Sequence, residues 1–246
     1  MGGFPVSDDI GLASSDDRES TRLYKLKPDP YSSHSVILSY LQRGDGKRLL
    51  DVGAAQGDMA QLLLNRGYDV TAVEGDPELA AIARTKCGNV IIANLDDPIS
   101  DWGGPFDVIV YGDVLEHLKD PLTVLTSINR QLKSNGIVVV SVPNSAHAWV
   151  RLQMCFGHFD YAERGILDKT HLRFFTFASF CRLLREAGLE ALQVRTTPAP
   201  LPLVVPTRYH GRTLNLVHGL NAAMARCWRT MFAYQFVALA RRSTNE

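Results

Sequence analysis

Three side chains near the middle of the chain, Asp113, Glu116 and His117, stand at i, i+3 and i+4. If the stretch turns helical, that spacing puts them on one face. Two carboxylates and an imidazole there could hold a divalent metal ion, or the imidazole could take the proton of an acceptor hydroxyl. A second candidate group lies upstream in Asp51-Val52-Gly53-Ala54-Ala55-Gln56-Gly57-Asp58. Glycine in such a turn lets the backbone approach a ligand. A dinucleotide fingerprint would need glycine at positions 55 and 58 as well as Gly53. The chain has Ala55 and Asp58, a carboxylate where a pyrophosphate would sit. The turn therefore suits a ligand without phosphate, whose cationic groups would favour Asp51. Glu74, in Val73-Glu74-Gly75-Asp76, is an acid about 20 residues after the glycines, placed to take both ribose hydroxyls. Asp76, just before Pro77, reads as a helix cap.

Positioning these groups requires strands that end where they begin. Apolar runs at Arg48–Val52, Asp69–Glu74, Val90–Ala93, Phe106–Tyr111 and Gly136–Val142 alternate with helical patterns at Met59–Asn65, Pro77–Thr85 and Pro121–Leu132. A further helix is expected around Tyr31–Gln42. The pattern breaks over Ser145–Thr170, read as a lid or substrate insert. It resumes with a helix at Phe177–Glu186 and a strand at Glu190–Val194. Thr197–Thr207 carries four prolines and reads as a loop, followed by an amphipathic helix at Leu214–Trp228 and a last strand at Phe232–Leu239. Strand–helix alternation of this kind predicts an α/β fold: a Rossmann-like, seven-stranded, mostly parallel sheet with helices on both faces. Ligands of such sheets bind at the carboxyl ends of the strands. That places Asn94 and Leu95 where an adenine would lie, with Gly75 and Gly112 completing the cofactor wall.

Bulk properties set the frame. The 246 residues suit one domain, expected over 23–246 after a disordered segment at 1–22, with a lid near 144–175 and a helical insert near 197–230. The 26 basic and 26 acidic residues cancel, which argues against a nucleic-acid partner. From Ala191 onward, however, seven arginines face one acid, Glu246. Arg208, Arg212, Arg226 and Arg229 read as a solvated face, with a phosphate or a peripheral membrane contact as the alternative. The four cysteines form no C-x-x-C pair, and no signal peptide or membrane span is expected, so a reduced, cytoplasmic protein is the simplest reading.

Taken together, L-L-D-V-G-x-x-x-G, the acid at Glu74, F-D-V-I-V-x-x-D-V-L-E-H-L-x-D-P and V-P-N closely resemble the class I S-adenosylmethionine-dependent methyltransferases over about Leu49–Leu189. The nearest likeness is to ubiquinone-pathway O-methyltransferases and to bacterial glycan and natural-product methyltransferases. The resemblance assigns Gly53, Ala55 and Gly57 to the methionine part of the cofactor, Glu74 to its ribose, and Asn94 and Leu95 to its adenine. Glycine is usual in the family where this chain has Ala55, so a slight tightening is expected there. The family segment matching Asp168–Thr176 can supply a further histidine, here His171. Three readings stay open for this wall: a metal such as Mg²⁺ on Asp113, Glu116, His117 and His171; a metal-free His117 or His171 base; or a structural role. The acceptor is expected to be a small molecule or glycan, methylated on oxygen, with a sugar hydroxyl first and a phenol or quinone precursor second. The rival functions are a catalytically silent scaffold and aminopropyl transfer. Within the insert, His158, Tyr161 and Arg164 are candidates to meet substrate, and Phe156 and Phe159 are expected to pack on the sheet.

Overall fold

A computed structural model describes residues 29–98 and 101–243. The segment expected to be disordered, 1–22, lies outside the described residues. The seven strands are β1 (Arg48–Val52), β2 (Asp69–Glu74), β3 (Val90–Ile92), β4 (Phe106–Gly112), β5 (Leu132–Pro143), β6 (Leu189–Thr197) and β7 (Gln235–Arg242). They form one sheet in the order β3-β2-β1-β4-β5-β7-β6. All neighbours run parallel except β7, which is antiparallel to both β5 and β6. The strand order reverses between β1 and β4, which places a crevice at their carboxyl ends.

The strands read as unbroken apolar runs because both faces are covered. In β1, Leu50 and Val52 join one core with Phe106, Ile109, Phe180 and Phe236. Leu49 points the other way, into a core with Ile37, Leu63 and Val110. The second core is closed by α1 (Ser33–Tyr40), α2 (Asp58–Asn65) and α3 (Pro77–Cys87). The first is closed by α4 (Pro121–Asn129) and α6 (Phe177–Glu186). Capping explains the boundaries. Asp76 accepts from the Glu78 and Leu79 amides and Pro77 opens α3. Asp120 accepts from the Thr123 amide ahead of α4. Thr176 and Ser179 cap α6 reciprocally.

Four expectations needed correction. The insert after β5 is not wholly irregular: α5 (Ala148–Cys155) opens it, with His147 accepting from the Trp149 amide at 3.2 Å. β7 begins at Gln235 rather than Phe232, because Arg229–Phe232 forms one helical turn continuing from α7 (Arg212–Cys227). The proline-rich loop likewise holds a helical turn at Leu201–Val204. Phe156 and Phe159 do not pack on the sheet: both are exposed, and Phe159 meets Tyr161 and Phe174 edge-on at 5.9 and 5.8 Å.

Candidate active site

A cavity of about 600 Å³ opens where β1 and β4 diverge. Its floor is the turn after β1. Gly53 and Ala54 both donate to the Val73 carbonyl at 2.9 Å, which folds the turn back onto β2. Gly53 has φ of 71°, and a Cβ there would lie 2.6 Å from Val114 Cγ2, so glycine is required for two independent reasons. Ala55 also takes a left-handed φ, 47°, and this is the physical reason glycine suits the position. Gly57 does not line the cavity. It caps α2 with φ of 76°, and a Cβ would lie 3.0 Å from Ala83, so its part is the close approach of α2 to α3. Asp58, which lines the cavity, pairs with Lys86.

The expected cofactor residues Asp51, Gly53, Ala55, Glu74, Gly75, Asn94, Leu95 and Gly112 all line this cavity. Glu74 spans the turn: its Oε2 accepts from the Ala55 amide at 2.7 Å and its Oε1 from the Asp76 amide at 2.9 Å. Asp51 is buried, and its Oδ2 has no hydrogen-bond partner. Burial, and then the neighbouring Glu74, push its carboxyl up to about 7. His34 from α1, Gln56, Met59 and Asp96 also line the cavity. Sequence reasoning did not single out His34, because nothing in its helix marks that face as facing a ligand.

The opposite wall is assembled from distant parts. A single 3-10 turn, Leu115–His117, follows β4. Asp113 precedes it with φ of 56° and does not share a helical face with Glu116 and His117. Its Oδ1 accepts from Ser141 Oγ at 2.5 Å, and its Oδ2 accepts from Ser33 Oγ at 2.9 Å and from Gln235 Nε2 at 2.8 Å. Its backbone amide donates to Ser141 Oγ at 2.9 Å. These donors from α1, β5 and β7 hold the left-handed residue in place. Asp113 lines the cavity but stands outside the donor cluster formed by Glu116, His117 and His171, whose ligand atoms lie within 4.8 Å of one another.

That cluster exists because the insert is clamped to the 3-10 turn: the Leu172 and Arg173 amides both donate to the Glu116 carbonyl, at 2.8 and 2.9 Å. His171 stands edge-on to His117 with centroids 4.9 Å apart. His171 Nδ1 lies 3.0 Å from the Ile166 carbonyl. A carbonyl only accepts, so Nδ1 carries the proton and Nε2 is the open lone pair. Burial holds this imidazole below its ordinary pKa. The same reasoning fixes His117: its Nδ1 lies 3.3 Å from the Thr170 carbonyl and 3.1 Å from Thr170 Oγ1. The Thr170 hydroxyl in turn donates to Asp168 Oδ1 at 2.7 Å. His117 Nδ1 therefore donates toward Thr170, leaving Nε2 as an acceptor. Glu116 is 2% exposed, and its Oε2 has no partner. Burial, then Asp113, push its carboxyl well above the ordinary range. His117 and Thr170 reach the cavity surface, whereas Glu116 and His171 lie behind it. His158, Tyr161 and Arg164 are exposed and do not line the cavity.

The chain belongs to the methyltransferase family: residues 31–194 match the methyltransferase domain. A ubiquinone biosynthesis O-methyltransferase of Xylella fastidiosa (strain 9a5c) is 30% identical over 170 residues, covering 65% of this chain and 68% of the relative. Solved structures share the fold. Burkholderia thailandensis 1,6-didemethyltoxoflavin-N1-methyltransferase, with 1,6-didemethyltoxoflavin and S-adenosylhomocysteine bound, has a TM-score of 0.58 at 17% identity, covering 96% of this chain and 93% of that one. An S-adenosylmethionine-dependent methyltransferase of Mesorhizobium loti has a TM-score of 0.59 at 16% identity, covering 86% and 98%. The protein is thus an S-adenosylmethionine-dependent methyltransferase of Rossmann-like α/β fold. Among the described residues no helix is long and apolar enough to cross a membrane.

Proposed function

We propose that the enzyme methylates a phenol-type hydroxyl oxygen, with His117 as the base that removes its proton. The observation that carries this reading is His117 itself: it lines the cavity with Nδ1 engaged by Thr170, so Nε2 is available to a hydroxyl. The cofactor fits the opposite wall. Asp51 and Glu74 are two acids in a cavity that no lysine or arginine lines, and Asp51 Oδ2 is buried and unpartnered. A cationic ligand would supply the missing countercharge. Bound there, S-adenosylmethionine brings an electrophilic methyl on a sulfonium. Glu74 would take the ribose hydroxyls, Asn94 and Leu95 the adenine, and the Gly53–Ala55 turn the methionine part.

The remaining work is alignment, water exclusion and proton removal. His117 Nε2 would take the proton of the acceptor oxygen as that oxygen receives the methyl group that bound S-adenosylmethionine would supply, with the thioether as leaving group. A phenol resembles tyrosine in acidity, with a pKa of about 10. A sugar hydroxyl is a far weaker acid and a harder task for an imidazole. That argument, with the O-methyltransferase relatives, favours a phenol or quinone precursor over the glycan hydroxyl placed first on sequence grounds. The insert at 144–175 would act as the acceptor lid, since Thr170 lies on it and lines the cavity. Assaying phenolic and sugar acceptors, with mass spectrometry of the product, tests the reading. A methyl group on nitrogen or carbon, or turnover of sugars alone, overturns it.

A second reading rests on the donor cluster. Glu116, His117 and His171 present a carboxylate and two imidazoles within 4.8 Å, a set suited to a divalent cation. Such an ion would supply Lewis-acid polarisation of the hydroxyl in place of a histidine base. Retained activity in chelator removes this reading. Lost activity restored by Mg²⁺ or Mn²⁺ removes the base.

A further inference from the structure

α7 has its polarity reversed. Its inner face is made of small or polar side chains: Ala222 and Ala225 are buried, and so is His218, whose Nε2 meets the Asp29 carboxylate at 3.1 Å. Its outer face carries Leu216, Val217, Leu220, Met224 and Trp228, all exposed, with Leu216 at 66% and Leu220 at 58%. At 100° per residue these five side chains fill a stripe about 120° wide. A solvated helix would carry charge on that side. The helical turn Leu201–Val204 extends the apolar surface with exposed Leu203 and Val204. It is tied to α7 by Asn221 Nδ2, which donates to the Ala199 carbonyl at 3.0 Å.

The charges around this stripe have one sign. Residues 198–234 contain Arg208, Arg212, Arg226 and Arg229 and no Asp or Glu. Among the described residues none of these four arginines makes an ion pair. Arg208 and Arg229 instead lie over the rings of Tyr209 and Phe177. On the helical wheel Arg212 falls about 40° from the edge of the stripe, whereas Arg226 turns toward the buried side, in a hollow with Val194 and Thr196. We infer that α7 docks parallel to an anionic bilayer surface, with its apolar stripe in the acyl boundary and Arg212, at the edge of the stripe, at the lipid phosphates. A second copy is the weaker occupant. An isologous pairing of this face would set cationic rims against each other with no acid in the segment to neutralise them. The placement is also productive. β6 runs parallel to β4 and β5, so the segment that carries α7 leaves β6 at Thr197, on the same carboxyl edge of the sheet as the cavity.

The inference does not depend on the acceptor or on the base. The test is co-sedimentation of the full chain with phosphatidylglycerol vesicles and with phosphatidylcholine vesicles. Tryptophan fluorescence is followed in parallel in a Trp149→Phe background, where exposed Trp228 reports on the surface and buried Trp102 is a constant contribution. Binding to the anionic vesicles, weakened by salt and accompanied by a blue shift, is expected. Leu216→Glu with Leu220→Glu should lower partitioning at least ~tenfold, and Arg212→Gln about fivefold. These side chains are exposed, so melting temperature and S-adenosylhomocysteine binding report whether each variant still folds. No binding to anionic vesicles overturns the inference. So does equal binding to neutral ones, or a concentration-dependent dimer in sedimentation that the double glutamate variant abolishes.

Discussion

The two walls of the cavity are built over very different distances along the chain. The wall formed by the ends of β1, β2 and β3 is knit locally. Gly53 and Ala54 donate to Val73, and Glu74 reaches back 19 positions to Ala55 and forward two to Asp76. The wall formed by the 3-10 turn and the insert is knit remotely. His117 meets Thr170 across 53 positions, Asp113 meets Gln235 across 122, and the Glu116 carbonyl carries two amides of the insert. The first wall is a property of one parallel βαβ unit, whose glycines and acid sit at fixed offsets. The second exists only when the insert, α1, β5 and β7 all close on the end of β4. Changes on the first wall should therefore alter cofactor affinity, and changes on the second should alter turnover with the cofactor still bound.

The largest effect expected is on turnover. His117→Ala should lower kcat by about 10²–10⁴ if the imidazole is the base, with S-adenosylhomocysteine affinity by calorimetry within about twofold. The same variant cannot distinguish base from metal ligand, because both roles lose the residue. Glu116→Gln can. Near-normal kcat in chelator leaves His117 as the base, whereas loss of activity restored by Mn²⁺ assigns the cluster to a cation. If His117→Ala instead abolished cofactor binding, the separation of the two walls would fail.

Next in size is Glu74→Ala. It removes an acceptor shared by two backbone amides and the proposed ribose ligand. Two charge-assisted hydrogen bonds at ~1.5–3 kcal/mol each predict a cofactor Kd raised roughly 10²–10⁴-fold. Calorimetry reads this directly. A variant that bound S-adenosylhomocysteine normally and lost only acceptor turnover would exchange the roles of the two walls.

A smaller effect comes from Asp51. Its folded carboxyl stands at about 7, above the ~3.9 of an unfolded chain. Between these values the folded state holds the proton more tightly, so this group makes the ligand-free protein lose stability as pH rises from about 4 to about 7, and the loss levels off above that. A cationic cofactor prefers the ionised carboxylate, so its affinity should rise as pH climbs through 7. The expected change is roughly tenfold between pH 6 and 8. Asp51→Asn should flatten that profile. A wild-type affinity independent of pH would show that Asp51 does not face the cationic part of the ligand.

The same division governed what could be read from the sequence. β1 and β2 fall on the residues expected, and eight of the nine residues assigned to the cofactor line one cavity, because strand ends and glycine turns are encoded locally. Gly57 is the exception. Its glycine reports helix packing against Ala83, and a sequence alone cannot tell that demand from ligand approach. On the far wall, residue identities were legible but their geometry was not. Asp113 fits an i, i+3, i+4 pattern, yet its left-handed φ takes it off any helix, and Ser33, Ser141 and Gln235 occupy its carboxylate. None of those partners lies near it in the chain. The reversed polarity of α7 escaped for a related reason: an amphipathic period reveals that a helix has two faces, and only the fold decides which one turns inward.

The smallest effect tests whether the local wall is already complete. Ala55 holds φ of 47°, a conformation that costs an L-residue roughly 1–2 kcal/mol and glycine nothing. Glycine in turn gives the unfolded chain more freedom, worth about 0.4–1 kcal/mol. The balance favours Ala55→Gly by about 0.5–1 kcal/mol, or roughly 1–4 °C in melting temperature for a chain of this size. Affinity should not change, since the amide that donates to Glu74 Oε2 is present in either residue. Thermal unfolding and calorimetry on the same preparation separate the two quantities. A higher melting temperature with unchanged Kd would place the cost of Ala55 in the backbone alone. A Kd improved tenfold would mean that the methyl group itself intrudes on the ligand, and that this wall is still paying for its departure from glycine where the ligand sits.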